Sequence, residues 1–313
     1  MSDTAAHPLD DGERRRLLSL AYRMTGTLSD AEDVVQEAYV RWYRLPDDER
    51  AAISAPAAWF TRVGSRIALD HLTSARVRRE HYVGPWLPEP VPADLFAGTA
   101  PRGPSLVAAA PAEADPADRV TLDDAVSAAL LVVLESMTPA ERVAFVLHDV
   151  FGLPFAEVAQ IVGRSVDSTR QLAASGRRHV RQERAVAVPR AEHDVVVRAF
   201  LAAASTGDVH ALVRLLAPDA ELRSDGGGVV SAALNVIQGA DRVARFVLGI
   251  LAKNPGVAVR EVRTADGAGF RLDVGDQVIG LVTFGVVDQA ITDVWLVRNP
   301  AKLGAWRGEP VGG

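Results

Sequence analysis

The side chains best placed to do chemistry in this sequence are arginines. Between Gly163 and Arg184 there are six Arg against one Asp and one Glu, a local sum of +4 in a chain whose formal net charge is -6. Guanidinium groups at helical spacing neutralise phosphates, so the stretch predicts a nucleic-acid contact. A solvated basic face is the alternative interpretation. Because the whole chain is acidic, nucleic acid must be met by such local surfaces.

Other chemistries find little support in the composition. The chain has no Cys, and its seven His are scattered without an HExxH or His-x-His arrangement. The sequence therefore predicts no disulfide, no thiol catalysis, no metal site and no cofactor. It also has no apolar run of membrane-spanning length and no signal-peptide pattern at its start. We expect a cytoplasmic protein that makes no membrane contact.

Helices must position the arginines. The stretch "LPFAEVAQIVGRSVDSTRQLAASGRRHVRQER" predicts a short helix, a turn at Gly163 and a longer helix capped by Ser165, which is helix-turn-helix spacing. A helix begins before it, with Thr138 as N-cap and Glu141 completing a capping box. The interior Gly176 is expected to weaken the long helix by about 1 kcal/mol.

A second basic helix occurs earlier in the chain. The stretch "AAWFTRVGSRIALDHLTSARVRRE" has five Arg against one Asp between Arg62 and Arg79. Its Trp59 and Phe60 could stack on exposed bases, although core packing is the favoured interpretation of these two aromatic residues considered alone. The helix before it, "TLSDAEDVVQEAYVRWYRL", is predicted to start with Ser29 as N-cap and an acidic first turn.

Proline divides the chain. Eight of the eighteen Pro lie between Val83 and Asp118, where no helical or strand period persists. We predict helical domains at 10–82 and 119–185, a Pro-rich linker at 83–118, and a third domain at 190–303. The third domain begins with two helices and an edge strand, and it ends in period-two runs such as "QVIGLVTFGVV" and "ITDVWLV". This order favours an α+β cone with one curved antiparallel sheet.

The two helical domains resemble regions 2 and 4 of extracytoplasmic-function sigma factors, the promoter-reading subunits of bacterial RNA polymerase. The resemblance rests on "AYRMTGTLSDAEDVVQEAYVRWYR", "AWFTRVGSRIALDHLTSARVRRE" and "TPAERVAFVLHDVFGLPFAEVAQIVGRS" in this order around the linker. It implies two partners, namely core RNA polymerase, through its β and β′ subunits, and promoter DNA. It also implies that the second helical domain is the DNA-reading helix-turn-helix.

The resemblance assigns residues to three surfaces. The helix that docks on polymerase would use Asp30, Asp33, Gln36 and Glu37. The segment that melts and reads the promoter's −10 element would use Trp59, Arg62, Arg66, Asp70, Arg76, Arg78 and Arg79. The −35 element would be read by Arg164, Ser165, Asp167, Ser168, Arg170 and Gln171, with Arg177, Arg178 and Arg181 on phosphates. Most relatives have Asn at the position of Arg66, and Arg and Ala at those of Ser175 and Gly176, so base holding and promoter affinity are expected to differ.

The third domain resembles the SnoaL-like cone that follows region 4 in some sigma factors. Three motifs carry this resemblance and would form regulatory contacts: Trp86, Leu87, Pro88, Glu89 and Pro90; Asp225, Gly226, Gly227 and Gly228; and Asn299, Pro300 and Lys302. Relatives usually have Asp and Lys at the positions of Ala301 and Val229. The cone implies a pocket that could hold a small apolar ligand. We expect the tail to regulate in cis by contacting the linker, and so to set how readily the two DNA-binding regions separate.

Two other functions fit parts of the sequence. A stand-alone helix-turn-helix regulator could use the cone to sense a small molecule, and an enzyme could carry a DNA-tethering arm. Catalysis would need paired acids at the pocket mouth, and the acids Asp219, Glu221, Asp225, Asp273 and Asp293 show no such pairing in the sequence. The run "SDGGG" lacks the phosphate-loop pattern. We therefore predict an alternative sigma factor that is not an enzyme.

Overall fold

A computed structural model describes residues 8–79, 82–96, 128–184 and 188–307. Most of the predicted Pro-rich linker, and the start of the domain predicted from 119, lie outside these residues. The chain divides into two compact units. Among the described residues, no helix is both long enough and apolar enough to span a membrane.

The first unit is helical. Its elements are α1 (Asp11–Thr25), α2 (Leu28–Tyr43), α3 (Asp47–Ala52), most of α4 (Pro56–Arg79), α6 (Pro139–Phe145), a π-helical turn (Val146–Val150), α7 (Phe155–Val162) and most of α8 (Val166–Arg184). The predicted capping box of Thr138 and Glu141 begins α6. By contrast, α2 begins two residues earlier than predicted. Its N-cap is Thr27, whose side chain accepts the Asp30 N–H, because Leu28 is buried as the first helical residue.

The helix-turn-helix formed by α7 and α8 is held tightly against α6. Gly163 ends α7 with a φ of 70°, which a residue with a side chain adopts only at a cost. Gly176 in α8 lies against the Phe145 ring of α6, where an added Cβ would come 2.8 Å from the Cβ of Phe145. Gly176 therefore allows α8 to pack closely against α6. The sequence predicted only that this glycine weakens the helix, and did not predict the close contact.

Two buried arginines connect α1 to α6 inside the first unit. Arg142 donates from Nε to the carbonyl oxygen of Arg23 at 3.2 Å, in the last turn of α1, and pairs with Glu135. The Arg23 guanidinium lies 5.7 Å from the ring centroids of both Phe96 and Phe151. A cation at the C-terminal end of a helix is stabilised by the exposed carbonyl dipoles.

The second unit is an α+β domain with a six-stranded sheet. Its helices are α9 (Arg190–Thr206), α10 (Val209–Leu215) and α11 (Ala240–Lys253). Its strands are β1 (Leu216–Asp225), β2 (Ile237–Gln238), β3 (Ala258–Thr264), β4 (Gly267–Val274), β5 (Gln277–Val287) and β6 (Ala290–Val297), in the order β2-β1-β6-β5-β4-β3. The unit also contains residues 82–95 and the first part of α5 (Ala128–Ser136).

The sheet is mixed, which corrects the expectation of an antiparallel sheet. β1 and β6 pair in parallel, while the other neighbours are antiparallel. β1 is also an interior strand instead of the predicted edge strand, because the short β2 covers its other side. The crossover through α11 and the three strands that follow bring β6 back beside β1, and such a nonlocal pairing leaves no local sequence signal.

Different segments of the chain pack against the two faces of the sheet. On the inner face, Phe200 of α9 packs edge-on against Phe284, which packs in turn against Phe270. On the outer face, Leu281, Trp295 and Val297 form a cluster with Leu87, Val278, Leu303 and Trp306. We call this cluster the outer-face cluster. Here the cover is the start of the linker and the C-terminal 3-10 turns (Pro300–Lys302 and Gly304–Trp306).

Candidate functional site

The first turn of α8 presents polar side chains to solvent. Arg164, Ser165, Asp167, Arg170 and Gln171 are exposed, and Ser168 is half-buried. The Ser165 hydroxyl accepts the Ser168 N–H at 3.2 Å and so caps the helix as predicted. Arg170 donates to Asp167 at 2.8 Å, and its guanidinium lies 5.7 Å from the Phe155 ring centroid. These contacts orient the helix start that would enter a DNA groove.

The arginines farther along α8 are not equivalent. Arg177 donates from one nitrogen to both oxygens of Asp149, at 2.9 and 3.2 Å, and this pair is largely buried. Arg178 is exposed. Arg177 is thus engaged by an internal carboxylate in this structure, and its contact with phosphate stays a prediction, as does that of Arg178. Arg181 lies in α8, and its side chain is outside the described part.

The predicted −10 surface is one stripe of α4. Trp59, Arg62, Arg66 and Asp70 are spaced so that they share one face, and Arg62, Arg66 and Asp70 are exposed. Trp59 is half-buried, with its ring 5.2 Å from Trp42 and 5.1 Å from Phe60 in edge-on contacts. Arg76, Arg78 and Arg79 lie in the last turns of α4, and their side chains are not described.

The predicted polymerase-binding residues lie on α2. Asp33 and Gln36 are exposed, and Asp30 and Glu37 are half-buried. Asp30 accepts the Thr27 hydroxyl at 2.7 Å, and Glu37 pairs with Arg41 at 2.9 Å. The buried face of the same helix contains Val34, Val35 and Ala38. Packing of that face fixes which acids point outward.

Asp225 joins all three of the motifs predicted to form regulatory contacts in the second unit. Its fully buried carboxylate accepts hydrogen bonds from the Tyr82 hydroxyl at 2.5 Å, the Leu87 N–H at 3.0 Å and the Gly227 N–H at 3.0 Å. Lys302 Nζ lies 2.7 Å from Oδ2 of the same carboxylate, the oxygen that also accepts the Leu87 N–H, and donates to the Leu87 carbonyl at 2.6 Å. The linker is thus attached to the end of β1 through charge-assisted bonds.

The remaining motif residues surround this ion pair. The Lys302 ammonium lies 4.0 Å from the Trp86 ring centroid, a cation–π contact. Asn299 donates to the Tyr82 hydroxyl at 3.0 Å, and an added Cβ at Gly227 would collide with the Asn299 side chain. The other members are buried or form the turns of the motifs: Pro88, Glu89 and Pro90 in the linker, Gly226 and Gly228 after β1, and Pro300 at the start of a 3-10 turn.

Sequence reasoning missed two contacts of this cluster. Tyr82 precedes the linker motif, and its hydroxyl contacts Asp225. Trp306 follows the last motif, and its Nε1 donates to the Pro90 carbonyl at 2.7 Å. Both are aromatic residues with a polar tip beside a predicted motif, which is the only local signal that could have indicated them.

The cavity between the helices and the inner sheet face is apolar. It measures about 70 Å³, and every described side chain that lines it is apolar, including Phe200, Val247, Leu251 and Phe270. The five acids considered for catalysis lie elsewhere. Asp219 is exposed, and Asp225 and Asp273 are engaged in ion pairs.

The other two acids are shifted by their surroundings. Burial raises the pKa of Asp293, which shares a sheet face with Trp295 outside the cavity. Burial alone would raise the pKa of Glu221, but hydrogen bonds from Arg223 and Gln238 hold it below its ordinary value. Neither acid is placed to attack a molecule in the cavity.

Comparison with known proteins agrees with this geometry. Residues 11–78 match "Sigma-70 region 2", and residues 127–180 match "Sigma-70, region 4". The chain is 37% identical over 307 residues to the ECF RNA polymerase sigma factor SigJ of Mycobacterium tuberculosis, covering 93% of this chain and 90% of that protein. The chain belongs to the extracytoplasmic-function sigma factors. Region 2 therefore lies almost wholly in the first unit, and region 4 lies in the first unit from Leu134 to His179.

One further relative and one solved structure extend this sigma-factor assignment. The probable ECF RNA polymerase sigma factor SigI of M. tuberculosis is 37% identical over 305 residues, covering 96% of this chain and 95% of that protein. The crystal structure of M. tuberculosis SigJ aligns with a TM-score of 0.67 and 32% identity, covering 94% of this chain and 96% of that chain. The likeness includes the C-terminal α+β domain, so the SnoaL-like cone is part of the matched architecture.

Arg178 and Arg177 give a matched test of the predicted DNA surface of this sigma factor. Arg178→Ala should weaken duplex binding and reduce the salt dependence by about one counterion, because an exposed arginine is lost. Arg177→Ala should leave the salt dependence unchanged and lower the free energy of unfolding by about 1–3 kcal/mol, because Asp149 loses its partner. Binding titrations at several salt concentrations and urea unfolding measure both quantities. Equal salt slopes for the two variants would contradict this division of roles.

Proposed function

We propose that this sigma factor binds core RNA polymerase through α2, opens the promoter −10 element with α4 and reads the −35 element with α8. The observation that carries the proposal is that both matched regions turn their polar residues to solvent. The exposed polar residues of α4 are Arg62, Arg66 and Asp70. Those at the start of α8 are Arg164, Asp167 and Gln171. The apolar faces of these helices are used for packing, so the exposed faces are free for a partner.

Polymerase binding distinguishes this function from that of a stand-alone DNA-binding regulator. Asp33→Lys reverses an exposed charge on α2 and should reduce affinity for bacterial core polymerase by at least tenfold, since like charges at an interface cost several kcal/mol. Promoter-dependent, single-round transcripts should fall in parallel. The control is Asp276→Lys, which reverses an exposed charge in the β4–β5 turn.

Equal transcription by these two variants would argue against docking through α2. Tight duplex binding by the wild-type chain in the absence of polymerase, together with no transcript in its presence, would favour the stand-alone regulator. Both measurements use a promoter selected from a random library, because the sequence does not specify one.

We propose further that the C-terminal domain modulates transcription in cis through the linker. The support is the contact of Asp225 and Lys302 with Leu87, which attaches the linker to the domain by buried, charged groups. A tethered domain acts at a high effective concentration, so even a modest contact would be occupied. Single-round transcription by Leu87→Asp, which places a charge in the outer-face cluster, should differ from that of the wild type.

The apolar cavity supports a second proposal for the same domain, namely that it holds a small apolar molecule. A dry cavity lined by aliphatic and aromatic side chains favours hydrocarbon-like ligands over charged ones. The probe N-phenyl-1-naphthylamine should gain fluorescence with the wild-type protein. Ala204→Trp, which fills the cavity from α9, should abolish most of that gain while Trp fluorescence shows a folded chain. An unchanged gain in the variant would place the probe elsewhere.

A further inference from the structure

The first end of the linker lies along the outer face of the sheet. Beyond the Leu87 contacts, the Pro90 carbonyl accepts the Trp306 indole N–H, and the Ala93 N–H donates to the Arg263 carbonyl at 3.3 Å. Pro92 forms a single antiparallel bridge with Thr264, at the end of β3. The linker is therefore held at several points from Leu87 to Ala93.

The second end of the linker is held by a different residue. Asp266 lies in the two-residue turn between β3 and β4, and its carboxylate accepts the N–H groups of Ala128 and Ala129 at 2.8 and 3.2 Å. These are the first two residues of α5, the helix that leads into α6. A carboxylate at the first turn of a helix satisfies N–H groups that have no partner within the helix.

Both ends meet on the same surface. Pro88, Val91, Ala128, Leu131 and Asp266 line one small gap of about 10 Å³. Ala129 and Val132 of α5 also pack against the outer-face cluster. The described ends of the linker, residues 87–93 and 128–132, therefore lie at neighbouring points on one domain.

The surroundings of Asp266 act on the pKa of its carboxyl group in two directions. Burial raises its pKa, while the Ala128 and Ala129 N–H groups and the nearby His193 act in the opposite direction. His193 is itself buried and lies 3.2 Å, through Nε2, from the Phe284 carbonyl. Asp194, beside it, accepts the Ala268 N–H at 2.7 Å, which fixes the far side of the same turn.

We propose that Asp266 is a second anchor of the C-terminal domain, and that together with Asp225 it holds both described ends of the interdomain linker on one sheet face. The domain then acts as a clamp on the linker. By holding residues 87–93 and the first turn of α5, it restricts the position from which region 4 starts. This inference rests on the proposed modulation in cis and identifies the residues that produce it. Loss of either anchor frees one end of the linker.

Hydrogen exchange of the full chain tests the anchor directly. In Asp266→Ala, amides of residues 128–133 should exchange about tenfold faster, the size expected when a helix loses its N-terminal acceptor. Amides of residues 87–93 should remain within about twofold of the wild type, because their own anchor is intact. Asp266→Asn retains an acceptor oxygen and should restore most of the protection. The control is Asp276→Ala, the same residue type at the same position of the β4–β5 turn, which should change neither segment.

Transcription tests the clamp as a unit. Asp266→Ala and Asp225→Ala should shift single-round output in the same direction, and the double variant should show no further shift, since the clamp acts only while both ends of the linker are held. Effects that multiply in the double variant would overturn the clamp. Wild-type exchange of residues 128–133 in Asp266→Ala would overturn the anchor. If exchange changes as expected while output stays at the wild-type level, the anchor stands and the modulation in cis is wrong.

Discussion

Replacing Asp225 by Ala is expected to lower the stability of the second unit by about 3–5 kcal/mol, the usual cost of removing one partner from a buried ion pair. The loss leaves the Lys302 ammonium buried without its carboxylate, and it removes the acceptor for the Tyr82 hydroxyl and the Leu87 N–H. Urea titration followed by hydrogen exchange of β5 and β6 measures the stability of this unit separately.

Asp241 offers a matched control for that experiment. It pairs with Arg245 at 2.7 Å, the same distance as Lys302 from Asp225, but both side chains are more than half exposed. Asp241→Ala should therefore lower the stability far less than Asp225→Ala, because solvent screens an exposed pair. If Asp225→Ala were no more costly than Asp241→Ala, the buried pair would not be what holds the linker.

Gly176→Ala is expected to destabilise the first unit, although alanine is the better helix former. The gain in helix propensity is about 1 kcal/mol. The new Cβ, however, would lie 2.8 Å from the Cβ of Phe145, and overpacking of this kind costs about 1–3 kcal/mol. We expect a net loss, measured by urea unfolding with hydrogen exchange of α6 and α8.

Gly249 in α11 provides the opposite case. No atom of the described residues lies within 4 Å of a Cβ added there, so Gly249→Ala should stabilise the second unit by up to about 1 kcal/mol. Stabilisation by both substitutions would mean that α8 can move away from Phe145, and that Gly176 is not needed for packing.

Local signals in the sequence were sufficient for much of the helical architecture. The capping box at Thr138, the turn at Gly163 and the cap at Ser165 are all confirmed, because each depends on residues within one helical turn. The start of α2 was placed wrongly at Ser29. Thr27 and Ser29 are both good N-caps, and the choice between them is made by burial of Leu28, a tertiary effect.

Nonlocal pairings limited what could be predicted of the site. The parallel pairing of β1 with β6, the engagement of Arg177 by Asp149 and the contact of Asp266 with α5 each join residues far apart in the chain. Composition and periodicity contain no information on such pairs. The motif resemblance did indicate that residues near Trp86, Asp225 and Asn299 belong together, although it did not indicate which atoms meet.

The apolar residues of the outer-face cluster limit how long a released linker can persist. If the segment around Leu87 leaves the sheet, Leu281, Trp295 and Trp306 become accessible to water. Apolar surface of this kind associates with any similar surface, including that of a second copy of the chain. The released form would then be depleted by self-association as its concentration rises, so the same residues that fasten the linker also limit how much of the unfastened protein a cell can accumulate.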